Sequence, residues 1–256
     1  MIKINQKMHK VLNIISFLVL FYLNKDYLLL DIHSEDLVAH NTVTLHLIEA
    51  IKSGQIIFYD RYWFSGWPAF QFYGFIPHLL VAVTSIVTSV DTLILIKLYS
   101  LILCSLLPIS LYFCLSKICK SKDYLLSIIS FFLSYWFLSS DDSFYGIGIN
   151  SIFSVGLYPQ AFGWNLILIA LGLLFSQSKH LTLTLSLSIL THTLSGFYIY
   201  LFTFFWSIIE PDKRRYIFKS ITFSIGIILL WLFLFLKFSS DYTIADVYKT
   251  NSDWLQ

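Results

Sequence analysis

What this chain lacks first is charge: Asp, Glu, Lys and Arg make up 12% of its 256 residues, against roughly 25% in an ordinary soluble domain. Hydrophobic residues reach 57% and the mean hydropathy is +0.73, an excess that a water-facing fold has nowhere to bury, so it has to face lipid. Basic surface is missing as well. The net charge is +2 and no run of Lys or Arg is longer than Lys213-Arg214-Arg215, which sets nucleic acid aside as a partner. Cysteine is scarce: Cys104, Cys114 and Cys119 lie in or just after one apolar segment without the ligands of a disulfide framework or a zinc site, and they read as packing residues. A cleavage site is absent too. Lys3, Lys7 and Lys10 precede an apolar stretch as in a signal peptide, but no small-residue site follows, so the segment reads as an uncleaved first span.

What is present is aromatic and apolar. Aromatics are 18% of the chain, a composition suited to helices that rest in hydrocarbon and anchor at its interfaces. A helix needs about 20 apolar residues to cross. Runs approaching that length lie at about 10–30, 92–116, 124–140, 161–177, 181–194, 195–209 and 216–237. The 181–194 run is the shortest and is rich in Ser and Thr, whose hydroxyls bond back to their own helix.

The apolar stretch from Phe75 to Val90 is best read as re-entrant or interfacial. With that choice Lys3, Lys7, Lys10, Lys117, Lys120, Lys122, Lys179, Lys213, Arg214, Arg215 and Lys219 all fall on the cytoplasmic side, and most acids fall on the other. The expectation is an all-α polytopic bundle of about seven spans forming one membrane domain over 1–256. Its N-terminus is cytoplasmic, residues 31–91 form a long outer loop, and 238–256 form an outer tail that reads as the start of a further C-terminal region. The expected location is the plasma (inner) membrane.

Long loops are uncommon unless they act. The first outer loop opens with a helix: Ser34 caps it, Glu35 and Asp36 sit where the dipole favours anions, and Ser53-Gly54 ends it. Asp36 and His40, four apart, share a face of that helix. Taken alone, the pair is a solvated acid and a polar-face residue. The Trp63-Phe64-Ser65-Gly66-Trp67-Pro68 and Phe72-Tyr73-Gly74 segments that follow fit a fold over a headgroup-level cavity, where a base acting on a water-soluble acceptor belongs.

The second outer loop carries Asp141, Asp142, Tyr145, Asn150, Tyr158 and Gln160. Adjacent acids ligate a divalent cation or solvate a loop tip, and the glycines there are too loosely spaced to cradle phosphate. His192, in Leu190-Thr191-His192-Thr193-Leu194-Ser195-Gly196, is an ionisable residue at a span end and hence a functional candidate; the competing reading is an interfacial histidine bonded to a neighbouring span.

Asp36-x-x-x-His40, Gly54 and Trp63-x-x-Gly66-x-Pro68-x-x-x-x-Tyr73 together resemble the first-loop pattern of the membrane proteins named as related to 6-pyruvoyl-tetrahydropterin synthase. These in turn look like C-fold (GT-C) glycosyltransferases of lipid-linked sugars. The resemblance implies that Asp36 is a base or metal ligand with His40 as its companion. Asp141 or Asp142 matches the second-loop acid, without the usual Asp-x-Asp form, and His192 matches a histidine near the outer end of a span. The implied reaction takes a sugar from a polyprenyl-phosphate carrier to an acceptor hydroxyl. Arg61 and His192 would steady the departing phosphate, with Trp63, Tyr73, Tyr158 and Gln160 lining the substrate. Any divalent metal, Mg or Mn, would sit on Asp36, Asp141 and Asp142. The partners expected are membrane lipid and the lipid-linked sugar. The rival readings are a transporter or flippase of lipid-linked saccharides, using the same cavity without bond breaking, and a non-catalytic or truncated membrane protein.

Overall fold

The computed structural model describes residues 2–30, 35–54, 74–140 and 148–238. Among these the chain is helical throughout, with no strand. The helices are α1 (Ile2–Asn24), α2 (Glu35–Lys52), α3 (Phe75–Thr88), α4 (Thr92–Ile118), α5 (Tyr124–Ser139), α6 (Tyr158–Phe175), α7 (Leu181–Thr191), α8 (Thr193–Ile209) and α9 (Arg214–Phe238). A 3-10 turn, Lys25–Leu28, extends α1, and a π-helical turn, Ser151–Val155, precedes α6.

Three segments are long and apolar enough to cross a membrane: Lys7–Leu28, Thr92–Ile118 and Tyr158–Phe175. A fourth candidate is the pair formed by α8 and α9, which meet at a bend of 116°. Helices α3, α5 and α7 are apolar but shorter.

Local signals explain where the helices begin and end. The Asp91 carboxylate caps α4 by accepting from the Leu93 and Ile94 amides at 2.9 and 3.2 Å, and Asp123 accepts from Leu125 at the start of α5. Helix α2 closes at Ser53-Gly54, where Gly54 takes a φ of +72° that a side chain would resist. Pro108 interrupts the ladder of α4. Beside it Asn165 of α6 donates to the Leu103 carbonyl at 3.0 Å and Ser110 donates to Asn165 at 2.6 Å, the kind of neighbouring-helix support that lets proline persist in an apolar helix.

Packing runs opposite to that of a soluble bundle. The buried stripe of α5 is Ser127, Ser130, Ser134 and Leu138, while Phe132 and Trp136 on the same helix are 63% and 72% exposed. Helix α8 buries Ser195, Gly196, Ile199, Thr203 and Ser207 and turns Phe205 and Ile209 outward. Small residues let helix backbones approach where lipid, equally apolar, supplies no hydrophobic drive between helices, and water would not tolerate so many exposed large side chains. The chain is therefore built for a bilayer. Of the cysteines, Cys104 and Cys114 are buried in the packing as expected, whereas Cys119 is exposed just past α4.

Chain direction gives the bundle two ends. At one, Lys97 near the start of α4 meets Leu30 after α1, and Thr92 meets Asn41 of α2. At the other, His9 of α1 stacks on Tyr112 of α4. Because α6 runs away from the first end, α7 back toward it and α8 away again, the α7–α8 junction and the start of α6 share the first end.

Candidate functional site

Three elements distant in sequence bring three aromatic rings together at that first end. Helix α2 supplies His40 (5% exposed), the first turn of α3 supplies His78 (1%), and the first residue of α6 is Tyr158 (0%). His40 Nδ1 and His78 Nε2 share a hydrogen bond of 3.0 Å, and His78 Nδ1 donates to the Gly74 carbonyl at 3.0 Å. Tyr158 stands edge-on to both imidazoles, with ring centroids 5.1 Å from His40 and 5.5 Å from His78. Its hydroxyl is buried with no hydrogen-bond partner among the described residues, a costly arrangement unless something else fills it.

His192 joins from the break between α7 and α8. Its extended backbone, φ −150° and ψ 103°, stops one helix and caps the next. The Ser195 amide donates to His192 Nδ1 at 3.3 Å, and the Ser195 hydroxyl lies 2.7 Å from the same nitrogen. A charge on His192 would reach His40, whose own protonation it opposes.

Two glycines make this convergence possible. A Cβ on Gly74 would run into the Thr191 carbonyl, and one on Gly163 would run into the Ser195 side chain. Only hydrogen fits at either place. The start of α3 therefore lies against the residue before His192, and α6 lies against the turn that holds it.

Burial decides the charge of the site, since an imidazolium is costly away from water. His40 is pushed well below the usual histidine range, first by burial and then by His78 and His192. His78 is pushed down to about 4 by burial, with the Gly74 hydrogen bond acting weakly the other way. Both rings are neutral at physiological pH, able to exchange protons with a substrate but not to hold an anion by charge.

The residues singled out in the sequence are only partly assembled here. His40, Tyr158 and His192 come together. Asp36 lies in the first turn of α2, one turn before His40, and is half-buried; Gln160 is half-buried in the first turn of α6. Arg61, Trp63, Tyr73, Asp141 and Asp142 lie outside the described residues. Among the described residues no three His, Cys, Asp or Glu side chains gather in a way that could hold a metal ion.

Sequence reasoning missed two residues. His78 stands in the apolar Phe75–Val90 stretch, and Lys97 is 8% exposed in the second turn of α4, its ammonium donating to the Leu30 carbonyl at 2.6 Å. An ionisable side chain inside an apolar run was the available signal for both.

A separate cavity of about 320 Å³ opens between α4, α5 and α6. Leu107, Leu111, Trp136, Phe137, Trp164 and Leu168 are among the residues lining it, with Ser134 a polar exception. No protein-family model, no curated protein and no solved structure matches the chain.

Proposed function

We propose that this chain is a multi-pass membrane transferase of GT-C type, which moves a sugar from a polyprenyl-phosphate carrier to an acceptor hydroxyl at the non-cytoplasmic face. The observation that carries this reading is the meeting of His40, His78, Tyr158 and His192 at one end of the bundle. The topology behind it has seven spans, α1 and α4 through α9, with α3 re-entrant. Two facts support it. His40 and Asn41 on a single turn of α2 bond to the first turns of α3 and α4 respectively, in keeping with α3 entering and leaving at one end. Lys7, Lys10, Lys117, Lys120, Lys122, Lys179 and Lys213 fall at the opposite end by chain direction, the pattern expected of a cytoplasmic side.

In this reading Asp36 or His40 takes the acceptor proton as the hydroxyl oxygen attacks the anomeric carbon. The bond from that carbon to the carrier phosphate breaks, and the phosphate leaves with the electron pair. His192, with Arg61, steadies the departing phosphate. Trp63, Tyr73, Tyr158 and Gln160 line the sugar and headgroup, and the cavity between α4, α5 and α6 takes the isoprenoid chain from the bilayer. If a divalent ion takes part, Asp36, Asp141 and Asp142 are its donors.

The test is transfer of labelled sugar from a polyprenyl-phosphate carrier in membranes holding the full chain. Asp36→Asn and His40→Phe should each lower the rate on the order of a hundredfold or more. Rates equal to wild type in both variants would remove the mechanism. Movement of the intact carrier between leaflets without bond cleavage would favour the flippase instead.

A further inference from the structure

We infer that His78 is a positioning residue: through two hydrogen bonds anchored on the Gly74 carbonyl it sets the proton of His40 on Nδ1, so that the basic nitrogen of His40 is Nε2. The tautomers follow from the hydrogen bonds alone, and their catalytic consequence rests on the transferase reading.

A carbonyl oxygen only accepts, so the 3.0 Å contact from His78 Nδ1 to Gly74 places a proton on Nδ1. A neutral imidazole carries one proton, which leaves His78 Nε2 as a lone pair. The 3.0 Å contact to His40 Nδ1 then runs from His40 to His78. His40 has spent its only proton in that bond, and its Nε2 is the acceptor nitrogen. Burial keeps both rings neutral, as the count requires.

His192 comes out the other way. Its Nδ1 accepts the Ser195 amide at 3.3 Å, so its proton sits on Nε2 and the Ser195 hydroxyl donates to Nδ1 at 2.7 Å. One end of the bundle thus holds a base nitrogen on His40 and an N–H donor on His192. The same close contact of Gly74 with Thr191 that anchors the relay also places the residue before His192. Base and donor are held by one joint. A base oriented by a third group is the arrangement that proton abstraction needs.

Among the described residues, groups facing the His40 ring include His78 from α3, Tyr158 from α6 and His192 from the α7–α8 break. Asp36 lies one turn earlier on α2, and the α4 side contributes the uncharged Thr92 against Asn41.

Solid-state NMR of the full chain in liposomes, with ¹⁵N- and ¹³C-labelled histidine at neutral pH, reads the tautomers directly; signals are assigned by comparison with H40Q and H192Q. His40 and His78 should be protonated on Nδ1 and His192 on Nε2. In His78→Leu the His40 proton should move to Nε2, whereas in His78→Gln the amide oxygen keeps an acceptor in place and His40 should stay as it is. In the transfer assay His78→Leu should lower kcat on the order of a hundredfold with KM within about twofold, and His78→Gln should regain most of the loss.

His40 protonated on Nε2 in the wild type, or unmoved in His78→Leu, overturns the relay. If His78→Leu does not fold, the wild-type and His78→Gln spectra decide. Tautomers as expected without any transfer would sink the transferase reading and leave the relay standing. Transfer with an unchanged kcat in His78→Leu would remove the positioning role alone.

Discussion

The two ends of the bundle each bury imidazole, and they do so differently. At the first end His40, His78 and His192 each have a hydrogen-bond partner for at least one ring nitrogen, drawn from α2, α3 and α8. At the second, His9 stacks on Tyr112 at 5.4 Å, yet His9 Nδ1, the Asn13 side-chain oxygen and the Tyr112 hydroxyl have no hydrogen-bond partner among the described residues. Stacking alone needs only two neighbouring helices. A directed chain of hydrogen bonds needs several elements placed to within a fraction of an ångström, and the glycine contacts at Gly74 and Gly163 supply that closeness. Each unmade bond costs about 1–3 kcal/mol; among the described residues the first end leaves one such group, the Tyr158 hydroxyl, beside its paired histidines, whereas the surroundings of the His9–Tyr112 stack leave three.

Three experiments press on this difference. The largest effect should come from Gly74→Ala. Its new methyl would overlap the Thr191 carbonyl, a backbone atom that cannot swing aside, and overpacking of this kind costs about 1–3 kcal/mol. The melting temperature of the detergent-solubilised protein should fall, together with the rate of transfer. An unchanged melting temperature would mean that the joint is looser than described.

A pH effect should come next. The unfolded chain takes up protons on histidine near 6.5, while folded His78 resists until about 4 and His40 is likewise pushed down. Between those values the unfolded state binds more protons, so stability rises with pH. The contribution is complete above about 6.5 and is lost as pH falls toward the folded values. Thermal stability measured across that window should climb with pH in wild type and climb less in His78→Gln; identical slopes would contradict neutral burial.

The smallest effect should be a gain. At the second end His9→Phe keeps the stack on Tyr112 and removes an unpaired nitrogen, and should stabilise by about 1 kcal/mol. A loss of similar size would show that His9 has a partner there, and the contrast between the two ends would disappear.

Much of the fold was readable along the chain. The apolar runs near 92–116, 124–140 and 216–237 lie on α4, α5 and α9, and Ser53-Gly54 closes α2. Length in hydrocarbon and a glycine stop are local properties, so a one-dimensional reading recovers them. Three of the four residues that meet at the candidate site were also visible: His40 and His192 as ionisable residues placed at helix ends and faces, and Tyr158 in the second outer loop. His78 was passed over because it stands in a segment whose apolar character dominated the reading. Lys97 was passed over because a single lysine in a long helix gives no hint of the Leu30 carbonyl that meets it.

By itself the sequence determined the medium and the elements: the scarcity of charge and the stripes of small residues among large apolar ones require lipid outside and close helix contacts inside. Only the tertiary structure decided which histidines meet and which partner each ring nitrogen faces. A tautomer is settled by the partner at the far side of the ring, and here that partner is a carbonyl ahead of α3, reached through a histidine on α3 by a histidine on α2.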